Sequence, residues 1–269
     1  MTCFCQNTSL VVPSPIIQTI HVVIAFCKIQ VDLRPLKHIL TQYVSSIYVL
    51  SKCGQRLHMS YNYTNIVLPN TGRVDHSYLM YIEHQYHRLP DAVIFIKDSW
   101  NLHPLGPLTH PDKLVRNVQR YGFACGIKYP IWHDIRRMKR FYIRFYEKLH
   151  DQNPNNGVNF TIHSNYGQWM RNIGFEKVTT LVPVCYGGVF AISRDNIVNV
   201  RLQRISKIRS SLERGDNILE SHFMERTWMW LFTKRHDKQK DRRLIQTTKR
   251  MSVPEQFTGM RQCRCGPHS

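Results

Sequence analysis

Apolar residues along this chain gather into short β-rich runs separated by stretches with helical spacing. Residues 21–26 (HVVIAF) form a continuous apolar run, which predicts a buried strand. After it, Asp32 reads as a helix N-cap, with Pro35 in the first turn, where its missing N–H is tolerated. Residues 47–50 (IYVL) predict a second strand, so the opening reads β-α-β and implies a parallel sheet with a right-handed crossover. Asn70-Thr71-Gly72 is a turn, and residues 76–86 predict a helix with Tyr78, Ile82 and Tyr86 four apart. Leu89-Pro90-Asp91 ends that helix, and residues 92–97 (AVIFIK) predict a third strand with Asp98 at its carboxyl end. In open α/β sheets ligands bind at that edge.

The second half is less regular. Residues 135–149 predict a basic helix with Phe141, Phe145 and Leu149 four apart, and residues 151–159 a polar, turn-rich stretch. That helix reads either as a nucleic-acid face or as a solvated amphipathic helix, and the apolar stripe favours the second. Residues 182–194 hold another strand region containing Gly187 and Gly188. A basic helix is expected from Asp195 to about Arg214, and a mostly buried helix over residues 218–232. The pattern as a whole predicts an α/β fold: a mostly parallel, Rossmann-like sheet flanked by helices. It divides the chain into an N-terminal extension (1–19), an α/β domain (20–235) and a basic tail (236–269).

Composition narrows the partners. The 269 residues carry 37 Lys plus Arg against 18 Asp plus Glu, a formal net charge of +19. Such a surface favours polyanions or anionic ligands: nucleotides, phosphate esters, nucleic acid or acidic membranes. A hydrophobic fraction of 42% excludes a disordered chain. The longest apolar stretch, residues 16–27, falls short of a membrane span, and no basic segment precedes it; both observations predict a soluble intracellular protein. Eight cysteines, with C-x-C pairs at 3/5 and 263/265 and four others scattered, do not read as a disulfide framework or as a zinc site. Sequons begin at Asn7, Asn62 and Asn159 and carry little weight in an intracellular chain.

Four features carry candidate chemistry. On the helix over 218–232, His222, Glu225 and Arg226 share a polar arc of an otherwise apolar surface that includes Trp228. A carboxylate held there is either a general base or part of a structural network with His222 and Arg226. Tyr186-Gly187-Gly188 allows close approach of a ligand to backbone, or marks a bulge. Gly72-Arg73 at a helix start offers backbone N–H groups and a guanidinium to a phosphate, or is a plain surface turn. Asp98 is a candidate ribose or divalent-metal ligand, or a strand-end cap. P-loop and G-x-G-x-x-G signatures are missing.

The segments LPNTGRVDHSYLMYIEHQYHRLPDAVIFIKDS, CYGGVFAISRDNI and HFMERTWMWLF together resemble a domain-of-unknown-function family. Its marks are Gly-Arg-Glu-x-x-x-Tyr-Leu, then Leu-Pro-Asp before an apolar strand, then a Glu-x-x-Trp helix. The order of parts is similar to nucleotide-sugar glycosyltransferases of the A-type fold. That resemblance implies transfer of a sugar from a nucleotide-sugar donor to a glycan or other hydroxyl acceptor. It implies Glu225 as catalytic base, and Gly72, Arg73, His76 and Asp98 on the donor side. Tyr186, Gly187, Gly188 and Ser193 would line the acceptor side, with His222, Arg226 and Trp228 in support. A divalent metal (Mn or Mg) at Asp98 is implied as well. Two departures stand out: Val74 occupies the place of the family's Glu, with Asp75 displaced by one, and the D-x-D signature is incomplete. The competing expectations are a basic nucleic-acid-binding protein and an inactive transferase-like scaffold.

Overall fold

The structure is a computed structural model that describes residues 16–100, 110–126, 131–134, 163, 165–175 and 181–233. The helix expected at 135–149, the stretch at 151–159, both C-x-C pairs, the basic tail and the sequons at Asn7 and Asn159 lie outside these residues. Every strand and helix of the described residues belongs to one compact unit, Ile17–Arg235.

In chain order, β1 is Ile20–Phe26; a 3₁₀ turn, Arg34–Leu36, leads into α1, Lys37–Gln42; β2 is Val44–Ser51 and β3 Thr64–Val67. Helix α2 is Arg73–Gln85, β4 Ala92–Lys97, α3 Pro111–Tyr121, β5 Phe123–Cys125 and β6 Ile131–Asp134. Then come α4 Tyr166–Asn172, β7 Leu181–Val184, β8 Phe190–Ser193, α5 Arg194–Val198, α6 Leu202–Ser210, α7 Leu219–Glu225 and α8 Trp228–Phe232.

Six strands form one sheet in the order β3-β2-β1-β4-β8-β5, and β6 and β7 form a separate antiparallel pair. From β3 to β4 the pairing is parallel, while β8 runs antiparallel to both β4 and β5. The sheet is therefore mixed. The parallel half matches the β-α-β expectation; the other half departs from it because β8 enters from the opposite end.

Alternation along the central strands explains why both sheet faces are covered. Val22, Ile24 and Phe26 of β1, with Ile94 and Ile96 of β4, pack with Leu36, Ile39, Val115 and Val118. Val23, Ala25, Val93 and Phe95 point the other way, toward Tyr78, Phe190, Phe223 and Trp228. On that second face Trp228 lies 4.9 Å from the Phe190 ring and 6.3 Å from Phe95, centroid to centroid. These rings hold α2 and α8 against the sheet.

Several boundaries differ from expectation for local reasons. Asp32 does not cap the helix; it accepts from the Arg34 N–H and side chain, closing a tight turn before the 3₁₀ segment. Helix α2 starts at Arg73, three residues early, because Gly72 takes a left-handed conformation (φ 56°) and turns the chain into it. The expected helix over 218–232 is broken in two. Arg226 and Thr227 close i→i−3 bonds to Phe223 and Met224, and the Thr227 hydroxyl donates to the Phe223 carbonyl at 2.8 Å.

Four of the scattered cysteines are paired: Cys27 with Cys53, and Cys125 with Cys185. This corrects the expectation that the cysteines form no disulfide framework.

Candidate functional site

The strand order reverses between β1 and β4, because the chain builds outward to β3 and then returns to the other side of β1. Ligands in open α/β sheets sit outside the carboxyl ends of the strands at such a reversal. Lys97, the last residue of β4, stands there.

Three other segments converge on Lys97. The first is the start of α2. A Cβ added at Gly72 would lie 2.6 Å from the His76 Cβ and 2.7 Å from the Leu212 carbonyl oxygen, so only glycine fits. Arg73 follows with a positive φ of 50°, an uncommon conformation for a residue with a side chain. Its N–H donates to the Asp216 carbonyl, and Lys52 Nζ donates to the Arg73 and Thr71 carbonyls at 2.6 and 2.7 Å. Lys52 thus fixes the strained turn, and burial lowers its ammonium pKa despite nearby Asp216. The second segment is the Gly187–Gly188 turn, with φ of 92° and 66°. A Cβ on Gly188 would meet Val74 Cγ2 at 3.2 Å and Lys97 Cδ at 3.9 Å. The Tyr78 hydroxyl donates to the Gly188 carbonyl at 2.9 Å, locking the turn to α2.

The third segment is the end of α7. Glu225 is half-buried, its side chain 18% exposed, so it is not sealed in the interior. Its Oε1 accepts the Gly187 N–H at 3.1 Å, and Arg226 Nη1 lies 3.8 Å from Oε2. The Arg226 guanidinium also sits 5.2 Å from the centre of the Tyr186 ring, and its Nη1 donates to the His222 carbonyl at 2.7 Å. His222 joins the helix to the turn: its Nδ1 accepts from Arg73 Nη1 at 2.8 Å and its Nε2 pairs with Asn217 Oδ1 at 3.1 Å. Burial, then the charges of Arg73 and Arg226, push the His222 pKa down to about 3, which keeps the ring neutral as an acceptor for Arg73.

Asp75 completes the cluster. It is buried and accepts from Trp228 Nε1 at 2.6 Å. Burial pushes its pKa up to about 7; Arg73 works against that shift and Glu225 adds to it. Burial lowers the Lys97 ammonium, opposed chiefly by Glu225. The result is a half-buried patch in which Lys97 and Arg226 flank Glu225 and Arg73 stands near Lys97, beside a buried Asp75 that titrates near neutrality. Cations held this way suit an anionic ligand. Both disulfides lie beside it: Cys53 follows Lys52, and Cys185 precedes Tyr186.

Of the residues singled out from the sequence, Gly72, Arg73, Tyr186, Gly187, Gly188, His222, Glu225, Arg226 and Trp228 belong to this constellation. Three do not. Ser193 pairs across from Ala92 at the amino end of β4, and its hydroxyl caps α5 through the Asn196 N–H. It is at the wrong end of the sheet for an acceptor residue, because β8 is antiparallel. His76 is buried behind the turn, 3.4 Å from the Thr71 hydroxyl and 3.8 Å from Glu213, so it supports Gly72 and does not face a donor. The Oδ2 atom of Asp98 accepts three backbone N–H groups, from Cys27, Lys28 and Ile29, at 3.0–3.3 Å. That is a strand-end staple. Among the described residues no group of three or more His, Cys, Asp or Glu is placed to hold a metal, and Oδ2 of Asp98, the residue implied to hold Mn or Mg, is engaged by backbone N–H groups.

Lys97, Asp75 and Lys52 join the site without having been expected there. A lysine closing an otherwise apolar buried strand, as in AVIFIK, is the sequence signal for Lys97. No helix among the described residues is long and apolar enough to cross a membrane. Compared with family models, with curated proteins and with solved structures, the chain matches none.

Proposed function

We propose that the chain transfers a sugar from a nucleotide-sugar donor to a hydroxyl acceptor at the carboxyl edge of its sheet. The observation that carries this reading is the convergence of Arg73, Lys97, the Gly187–Gly188 turn and Glu225 at the strand-order reversal. Glu225, held by the Gly187 N–H and flanked by Arg226, takes the proton from the acceptor hydroxyl. Arg73 and Lys97 stabilise the negative charge that collects on the departing diphosphate, with Arg226 completing the cationic frame. Arg73 is aimed by neutral His222 and by its own constrained backbone. Gly188, with no side chain, lets the turn pack closely against Val74 and Lys97, and the Tyr186 ring beneath Arg226 forms an apolar wall. No step runs through a metal.

The test is hydrolysis and transfer assayed over uridine, guanosine and cytidine diphosphate sugars, with and without Mn and Mg. Glu225→Gln is expected to lower turnover by about 10²–10⁴-fold while donor binding, read by thermal shift, persists. Activity undiminished in that variant, or no response to any donor, would overturn the assignment.

A further inference from the structure

We propose that Asn62 is an N-glycan attachment site and that the chain matures in an oxidising lumen. The inference is independent of the transfer reading. Two disulfides tie the folded unit, one joining the ends of β1 and β2 and the other joining the end of β5 to the residue after β7. Bonds of this kind persist in the secretory pathway and outside the cell, where asparagine-linked glycans are also added.

Asn62-Tyr63-Thr64 has the acceptor pattern, with no proline in the middle. Its geometry suits that role. The segment leads into β3 at Thr64, and burial alternates across it, with Asn62 and Thr64 exposed and Tyr63 partly buried. Tyr63 turns inward, packs against the core beneath β1 and β2, and donates its hydroxyl to the Leu57 carbonyl at 2.7 Å. Thr64 opens β3, which is the edge strand of the sheet, and Val67 further along it is 73% exposed. An open apolar edge invites pairing with another chain. A bulky hydrophilic group one residue before Tyr63 covers the approach to it.

In the reaction the Asn62 carboxamide nitrogen attacks the anomeric carbon of an oligosaccharide carried on a polyprenyl diphosphate. An N–C bond forms, the sugar–oxygen bond to the diphosphate breaks, the amide loses one proton, and the lipid diphosphate leaves. The chain's own site plays no part.

The full chain, routed into the endoplasmic reticulum of a eukaryotic cell line by an appended cleavable leader, is recovered from lumen and medium and mapped by peptide mass. Alkylation of free thiols precedes digestion. The expected result is a glycan on the Asn62 peptide, replaced by Asp after N-glycosidase treatment, with Cys27, Cys53, Cys125 and Cys185 protected from alkylation. Asn62→Gln and Thr64→Ala each abolish it, and Thr64→Ser retains it. The other sequons are read on their own peptides and do not count. An unmodified Asn62 in a chain whose four cysteines are paired overturns the proposal. So does finding those cysteines free in the chain isolated from its native cells.

Discussion

The two ends of β4 carry an aspartate each, and both do the same work. Asp91, before the strand, accepts from the Gln18 and Thr19 N–H groups and the Thr19 hydroxyl; Asp98, after it, accepts from Cys27, Lys28 and Ile29. Together they staple the entry and exit of β1 to its central neighbour. Burial would raise the Asp91 pKa, but these N–H donors more than offset it and the net shift is downward. Asp75, close to the second staple, stands in contrast. It is buried against one indole N–H, and its pKa rises to about 7. A carboxylate surrounded by donors serves the fold. One left short of them, among Arg73, Lys52 and Glu225, keeps a proton in play.

That contrast can be broken in order of size. Replacing the Cys125–Cys185 pair by alanines removes a cross-link with a separation of 60 residues. The expected loss is up to about 4 kcal/mol by chain entropy, read by chemical denaturation. Equal stability of the reduced and oxidised protein would show that this bond does not constrain the unfolded chain. Next, Asp98→Ala is expected to cost about 2 kcal/mol through the lost charge-assisted bonds, with donor affinity unchanged. A fall in donor affinity at unaltered stability would instead make Asp98 a ligand.

The third test is pH. Asp75 has its folded pKa raised from 3.8 to about 7, so the unfolded state gives up its proton first. Its effect is that stability falls as pH rises from about 4 to 7. His222 has its folded pKa lowered from 6.5 to about 3, so the unfolded state binds the proton first, and stability falls as pH drops below about 6.5. The two slopes oppose each other between about 4 and 6.5. Asp75→Asn is expected to leave melting temperature rising with pH across that window, and His222→Gln to leave it falling. Parallel profiles for both variants would refute the opposition. The smallest effect is Gly188→Ala, about 1–2 kcal/mol from the positive φ and the contact with Val74.

Much of the fold is legible in the chain. AVIFIK between Pro90-Asp91 and Asp98 is β4 to the residue, because apolar continuity and flanking breakers agree. Glu225 can be picked out because it shares a polar arc with His222 and Arg226 on an otherwise apolar helix, an arc from which Glu220 is absent. Helix α3 escapes the sequence reading, although Pro111 opens it, Leu114, Val115 and Val118 form its buried stripe and Gly122 closes it. Ser193 is misplaced by that reading because strand direction depends on distant pairing, and β8 reverses against β4. The same holds for the cysteines: Cys125 and Cys185 meet only after the sheet forms.

The break at Thr227 has a mechanical consequence. It lets residues three apart serve two different places: Glu225 lies in the open patch, while the Trp228 indole reaches Asp75 behind it. An anion arriving beside Arg73 and Lys97 offsets the positive potential that keeps Asp75 from being still less acidic. Occupancy near neutrality therefore draws hydrogen ions from the buffer. The binding heat then varies with the ionisation enthalpy of the buffer chosen, and indole fluorescence reports the same event.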